Sequence, residues 1–232
     1  MNRAQHESDR FHREYYSTHS LFETGTWLEK PTSSVMEIGS VLSQRSAVRA
    51  LDLGAGVGRN SIPFVRLFNP SSVVCDCVEI LPDAVEILRQ NAIAQGVADR
   101  ITPICSHVAE YKIAPNTYDM VMAMSVLEHA YSAERIAEGV RMIQEGTRSG
   151  GFNCLSIATD LEETDMTTHE AVEPIIQARI SAQDCSALLS RRYSEWEIQR
   201  LDYSAFKDKL IRDGKNIEWT ARYCMVVARK PE

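Results

Sequence analysis

Short apolar runs alternate with amphipathic segments through the middle of the chain. Each run is apolar almost throughout, which is typical of a strand buried on both faces, whereas the segments between the runs repeat apolar positions every three or four residues, as helices do. The pattern predicts strands over residues 47–53, 73–78, 101–105, 119–124 and 152–158, and helices over residues 59–68, 82–95 and 132–144. Strands and helices in this alternation form a parallel sheet covered by helices on both faces.

The N-terminal part of the chain departs from this alternation. Phe11, Tyr15 and Tyr16 recur at helical spacing in a polar background, and a second helix is predicted over residues 35–42. We therefore expect residues 1–45 to form a helical segment attached to the main domain. Its aromatic side chains either pack on the core or form a lid over a ligand site.

The C-terminal part departs from the alternation as well. Residues 196–203 and 217–229 are rich in β-branched and aromatic side chains and predict two strands, with a short helical piece and the Asp213-Gly214 turn between them. This arrangement is typical of an antiparallel addition at one edge of a sheet. We predict that residues 46–232 form one domain, a three-layer α/β/α sandwich with a doubly wound, mostly parallel seven-stranded sheet and an antiparallel C-terminal edge strand.

Composition and charge narrow the range of partners. The chain has 232 residues, and 25 Lys and Arg against 32 Asp and Glu give a net charge of -7, which argues against binding to nucleic acid. The sequence has no apolar run long enough for a membrane helix and no signal-peptide core, and its six cysteines form no Cys-x-x-Cys pair. We expect a cytoplasmic protein with reduced thiols, no metal, a small-molecule substrate, and a monomeric or homodimeric state.

A glycine-rich loop follows the first predicted strand directly. Gly54, Gly56 and Gly58 are spaced by one residue each, and a helix begins immediately after them. Glycine has no Cβ, so the backbone turns sharply there and a ligand can approach the amide groups closely. Because ligands of open α/β sheets lie beyond the carboxyl ends of the strands, this loop is the predicted ligand site.

Two carboxylates narrow the choice of ligand. Glu79 ends the second predicted strand, where its side chain could accept hydrogen bonds from both ribose hydroxyls of an adenosine. Asp52 stands two residues before the first glycine, where it would repel a pyrophosphate but attract a cationic amino group. The Gly-x-Gly-x-Gly spacing also differs from the Gly-x-Gly-x-x-Gly of dinucleotide sites. The pattern therefore favours a nucleoside that carries an amino acid over NAD.

These residues resemble a known family. The run DLGAGVG at residues 52–58, followed by the acidic strand end, is similar to the S-adenosylmethionine site of class I methyltransferases, and the run YDMVMAMSVLEH at residues 118–129 resembles their fourth-strand motif. The resemblance covers about residues 47–158. It implies a Rossmann-like methyltransferase fold, S-adenosylmethionine as cofactor, S-adenosylhomocysteine as product, and direct in-line transfer of the methyl group to a small acceptor.

The resemblance also implies which residues meet the cofactor. The backbone of the glycine loop would meet the methionine part, Arg59 and Asn60 its carboxylate, and Glu79 the ribose. His107 stands where the family has an acid, and its imidazole could accept a hydrogen bond from the adenine amine. The complete set is Asp52, Gly54, Ala55, Gly56, Arg59, Asn60, Glu79, Ile80, His107, Val108, Ala123 and Met124.

A narrower resemblance is to the tellurite-resistance type of methyltransferase. The loop residues 58–61 match that type, as do the C-terminal runs at residues 193–198, 213–217 and 228–230. This likeness implies a tellurite- or selenite-type oxyanion, or a thiol, as acceptor. The chain departs from the family pattern at Ile211, where the family has a histidine, and at Asn216, where it often has an arginine.

Other interpretations of the sequence stay open at this point. A nicotinamide-dependent oxidoreductase uses the same architecture, and a non-catalytic module would keep the same S-adenosylmethionine site. Glu128 and His129 could act as an acid/base pair or as half of a metal site, but we expect them at the solvated start of a helix. His169 and Glu170 belong to a substrate-binding segment or to a plain helix N-terminus. Three arginines are expected to be solvated unless they attract an anionic substrate: Arg191, Arg192 and Arg212.

Overall fold

The computed structural model of the protein describes residues 3–176 and 178–232. Its strands are β1 (Val48–Leu53), β2 (Val73–Glu79), β3 (Ile101–Cys105), β4 (Tyr118–Met124), β5 (Thr147–Asp165), β6 (Ala171–Val172), β7 (Glu197–Arg212) and β8 (Lys215–Arg229). Its α-helices are α1 (Arg3–Thr18), α2 (Ser33–Leu42), α3 (Ser61–Arg66), α4 (Pro82–Ala94), α5 (Leu127–Ala130), α6 (Ile136–Gly146) and α7 (Ala182–Arg192). Short 3-10 turns cover Pro70–Ser72 and Ala133–Arg135.

The strands form one sheet in the order β3-β2-β1-β4-β5-β8-β7, and β6 pairs with β5. The first five strands of this order are parallel, and β8 is antiparallel to both of its neighbours. The predicted fold class is therefore confirmed, with one refinement: the antiparallel strand lies inside the sheet, between β5 and β7. The strand order reverses between β1 and β4, so ligands are expected at the carboxyl ends of these two strands.

Two hydrophobic cores cover the two faces of the sheet. Because side chains of a strand alternate between faces, Ala50, Cys75 and Met120 pack toward α2 and α3, while Leu51 and Val121 pack toward α5, α6 and α7. Five cysteines are buried and Cys105 is exposed. The near-continuous apolar runs of the sequence follow from this double burial.

The helices of the central region begin and end where local chemistry predicts. In α4, Pro82 occupies the first turn, where its missing N–H is not needed, and Gly96 follows the helix with φ +67. The predicted helix at residues 59–68 is shorter in the structure, because the glycine loop extends to Asn60. The predicted helix at residues 132–144 is a 3-10 turn followed by α6.

The C-terminal region corrects one expectation from the sequence. No helical piece separates the last two strands, because β7 and β8 continue into one long hairpin closed by Asp213 and Gly214, with φ values of +52 and +73. Positive φ at both central residues is the geometry of a two-residue hairpin turn. On this hairpin Phe206 lies against Trp219, with ring centroids 4.8 Å apart, so cross-strand pairing overrides the local helical pattern.

Candidate active site

The glycine loop lies at the carboxyl end of β1, where the strand order reverses. The amides of Gly54 and Ala55 donate to the carbonyl of Val78 at 2.9 and 3.0 Å, which ties the loop to the end of β2. Gly54 has φ +71, and a Cβ at this position would lie 2.5 Å from Cγ2 of Val126. A side chain at Gly54 therefore fits neither the backbone conformation nor the space beside the loop.

Glu79 lies beside this loop, at the end of β2. Its Oε2 accepts a hydrogen bond from the amide of Gly56 at 3.0 Å, and its Oε1 accepts one from the amide of Leu81 at 3.0 Å. The side chain is buried, and this burial raises the pKa of Glu79 although the backbone hydrogen bonds partly offset the effect. Each carboxylate oxygen keeps a second acceptor position for a ligand hydroxyl.

Asp52 is a second buried carboxylate, at the end of β1. Its residue is 1% exposed, and among the described residues its Oδ2 has no hydrogen-bond partner. Burial raises the pKa of Asp52 to about 7, and the nearby Ser61 and the charge of Arg59 offset this only in part. A buried carboxylate oxygen without a donor is a place where a cationic group of a ligand would be stabilised.

Helix α1 forms the opposite wall of the site. A cavity of about 100 Å³ lies between this helix and the carboxyl ends of β1, β2 and β4. A Cβ built on Gly56 would lie 2.7 Å from the hydroxyl of Tyr16, so α1 approaches the loop backbone directly. The lining residues are Gln5, Ser8, Asp9, His12, Tyr16, Trp27, Gly54, Glu79, Ile80, Leu81, His107, Val108, Met124, Ser125, Val126, His129 and Ala130.

The structure brings half of the predicted cofactor residues to this cavity. Those that line it are Gly54, Glu79, Ile80, His107, Val108 and Met124. Asp52, Ala55 and Gly56 belong to the adjoining strand end and loop, while Ala123 is fully buried in the sheet. Arg59 and Asn60 contact another segment, since Arg59 Nη1 donates to the carbonyl of Lys30 at 3.2 Å and Asn60 Oδ1 accepts from the amide of Thr32 at 2.9 Å.

The orientation of His107 corrects its expected role. Its Nδ1 accepts a hydrogen bond from the amide of Ala109 at 3.1 Å. In the neutral imidazole the hydrogen then resides on Nε2, which donates rather than accepts. His107 therefore cannot accept from an adenine amine through Nε2, but it can donate to a ring nitrogen.

His129, expected at the solvated start of a helix, is brought instead against two residues of α1 that the sequence did not indicate, Ser8 and His12. His129 Nδ1 lies 3.2 Å from Ser8 Oγ, and the rings of His12 and His129 are 5.4 Å apart. Burial lowers the pKa of both histidines, so both imidazoles are neutral. The position of His129 just after β4, where the strand order reverses, was the one sequence signal that could have indicated a site. Its partners on α1 could not be found in this way, because they are more than 110 positions away in the chain.

Glu128 also differs from its expected setting. It does begin a helix, but its residue is 0% exposed rather than solvated. Its Oε1 accepts from the amide of Ala158 at 3.0 Å, and its Oε2 has no partner among the described residues. Burial raises the pKa of Glu128 to about 7. The described residues contain no group of three or more metal-binding side chains.

The remaining candidates lie away from the cavity. His169 and Glu170 precede β6 in a loop, so neither is at a helix N-terminus. Arg212 is in a buried ion pair with Glu163 and is not solvated, whereas Arg191 and Arg192 are exposed. Ile211 and Asn216 line a separate depression near the hairpin turn. No α-helix in the described ranges is long and apolar enough to cross a membrane.

Comparison with known proteins agrees with this geometry. Residues 50–151 match the model of a methyltransferase domain family. The fold is similar to that of TehB from Haemophilus influenzae, with a TM-score of 0.65 and 17% identity over 94% of this chain and 67% of that chain. It is also similar to YcgJ from Bacillus subtilis, with a TM-score of 0.58 and 13% identity over 86% of this chain and 98% of that chain.

A third similar structure is a SAM-dependent methyltransferase from Aquifex aeolicus, with a TM-score of 0.51 and 10% identity over 83% of this chain and 89% of that chain. Identities this low establish the shared fold, and the domain match adds the activity and the cofactor. The oxidoreductase alternative is thereby set aside. The chain has the class I methyltransferase fold, and its residues 50–151 match a methyltransferase domain, which implies S-adenosylmethionine as cofactor.

Proposed function

We propose that the cavity between α1 and the glycine loop holds S-adenosylmethionine and that the enzyme methylates a small molecule there. The observation that carries this proposal is the pair of buried carboxylates at the ends of two neighbouring strands, Asp52 with an unpartnered oxygen and Glu79 with spare acceptor positions. The first suits the amino group of the cofactor and the second suits its ribose hydroxyls.

Other residues complete the proposed cofactor site. Ile80 and Val108 offer apolar faces for the adenine, and His107 offers a donor at Nε2. Arg59, whose charge acts on Asp52 and Tyr16, would meet the carboxylate of the methionine part. When bound, the cofactor supplies a sulfonium-activated methyl group, so alignment of the acceptor for in-line attack accounts for most of the catalysis.

The proposal requires helix α1 to act as a lid. Pockets for ligands of this size usually measure about 300 Å³ or more, whereas this cavity measures about 100 Å³. Tyr16 lies against Gly56, so α1 must withdraw from the loop to admit the cofactor. Its inner face would then still form the wall that faces the reacting methyl group.

The charges around the cavity limit the kinds of methyl acceptor that would fit it. The oxyanion expected from the tellurite-resistance resemblance needs cationic partners, yet none of the described residues that line the cavity is a Lys or Arg. Arg212 forms an ion pair with Glu163, and Ile211 and Asn216 line the separate depression near the hairpin turn. The structure therefore supports a small acceptor that is not an oxyanion.

Calorimetric titration tests the cofactor site directly. We expect S-adenosylhomocysteine to bind with a dissociation constant on the order of micromolar, because two charge-assisted contacts and the buried adenine add to the affinity. NADH serves as the parallel ligand and should show no binding. Binding of NADH without S-adenosylhomocysteine would refute the proposed site.

The raised pKa of Asp52 leads us to expect that ligand affinity depends on pH. The folded-state pKa of Asp52 is raised to about 7, so its carboxylate forms as the pH rises through 7 and only then attracts the ligand ammonium group. We expect the affinity for S-adenosylhomocysteine to rise about tenfold between pH 6 and pH 8. In Asp52→Asn the affinity should be lower and independent of pH in this range, while the exposed control Asp99→Asn keeps the wild-type profile. An unchanged profile in Asp52→Asn would exclude the contact.

A further inference from the structure

The wall of the cavity formed by α1 carries the carboxylate of Asp9. The described residues that line the cavity include no Lys or Arg, whereas Asp9 and Glu79 are carboxylates. Asp9 belongs to α1, its Oδ1 accepts from Gln5 Nε2 at 2.6 Å, and its charge acts on both His12 and Glu79. The negative potential of Asp9 is therefore directed into the cavity.

Aromatic rings on the same wall also favour a cationic group. Tyr16 and Trp27 stack with ring centroids 5.8 Å apart and an angle of 19° between their planes, and the ring of His12 lies 5.7 Å from Trp27. The faces of tyrosine and tryptophan attract cations. The neighbouring histidines, His12 and His129, are neutral and add no positive charge to this wall.

From this lining we propose that the methyl acceptor is an amine that reacts through an uncharged nitrogen, with Asp9, Tyr16 and Trp27 stabilising the positive charge that appears on that nitrogen. The inference rests on the proposed function, since it concerns the acceptor side of the same cavity. It gives Asp9 a role in acceptor specificity, which the resemblance to the methyltransferase family does not imply.

The charge balance of the reaction explains why this lining suits an amine. The nitrogen lone pair forms the new N–C bond while the C–S bond breaks and its electron pair stays on sulfur. The positive charge moves from sulfur to nitrogen, and the product ammonium then releases a proton to solvent. With a thiolate or oxyanion the two charges cancel instead, and the anion must first lose its water beside the carboxylate of Asp9, which is costly.

A binding experiment on the cofactor-product complex tests the inference. The protein is saturated with S-adenosylhomocysteine and then titrated with tetramethylammonium, as an inert cation, or with selenite. We expect tetramethylammonium to bind at least about tenfold more tightly than selenite, because carboxylate and aromatic groups face it. In Asp9→Asn this preference should fall about fivefold or more, whereas Glu14→Gln, which removes one exposed charge from the same helix, should retain it.

Turnover provides the second readout. With radiolabelled S-adenosylmethionine, propylamine should accept methyl groups faster than propanethiol, tellurite or selenite. Equal or tighter binding of selenite, no binding of tetramethylammonium, or an unchanged preference in Asp9→Asn would each overturn the inference. Because binding of S-adenosylhomocysteine is measured first, its absence would refute the proposed function, whereas its presence with an oxyanion preference would refute only the amine acceptor.

Discussion

Replacing Glu79 with alanine is expected to weaken binding of S-adenosylhomocysteine about 100-fold, because hydrogen bonds to a charged group contribute roughly 1.5–3 kcal/mol each and two ribose hydroxyls would lose their acceptor. The same change releases the amides of Gly56 and Leu81, which Glu79 holds at 3.0 Å in the free protein. The loop would then be less ordered before binding. The measurement is isothermal titration of the wild type and the variant under identical conditions.

Two further variants separate the ribose contact from general damage to the fold. Glu79→Gln keeps one acceptor oxygen and should bind with intermediate affinity, and the exposed change Glu86→Ala, on α4, should bind like the wild type. Thermal unfolding shows whether each variant is folded at the temperature of the titration. If folded Glu79→Ala bound with wild-type affinity, the assignment of this carboxylate to the cofactor would be wrong.

Glu128 is expected to make the protein less stable as the pH rises. Its pKa is raised from 4.5 in the unfolded chain to about 7 in the folded protein, because burial of the carboxyl group outweighs the backbone hydrogen bonds that it accepts. Between these two values the folded state binds more protons than the unfolded state, so the free energy of unfolding falls as the pH increases. The expected loss is on the order of 3 kcal/mol and is complete above pH 7.

The variant Glu128→Gln removes the ionisation and retains an oxygen for the amide of Ala158. Urea unfolding at pH 5 and pH 8 should show a smaller decrease in stability for this variant than for the wild type. The exposed Glu37→Gln serves as the matched control and should follow the wild type. A parallel pH dependence in all three proteins would mean that Glu128 does not titrate in this range.

The glycine loop and the two strand ends beside it could be predicted from the sequence. The runs that become β1 and β2 are apolar because both faces of the sheet are covered, so their limits are visible in the chain. Parallel strands end at the same edge, and this places Asp52 and Glu79 together without knowledge of any other contact. That these two carboxylates lie close together could therefore be predicted from local sequence patterns alone.

The C-terminal hairpin could not be predicted in the same way. Residues that precede Asp213 have a local pattern that a helix also satisfies, and only pairing with β8 makes them a strand. The ring contact between Phe206 and Trp219 joins positions on two strands, so its contribution is absent from any local window. The extension of β5 to Asp165 depends on the same pairing.

By itself the sequence determined the five parallel strands and the glycine loop, because these depend on short periodic patterns and on where strands end, and its resemblance to a known family implied the cofactor. Only the tertiary structure decided that Glu128 is buried beneath Ala158, that His129 meets Ser8, and that α1 forms a wall of the cavity. The reason is that the loss of water around a charged group depends on which distant segments cover it. Neighbouring residues in the chain contain no information about that covering.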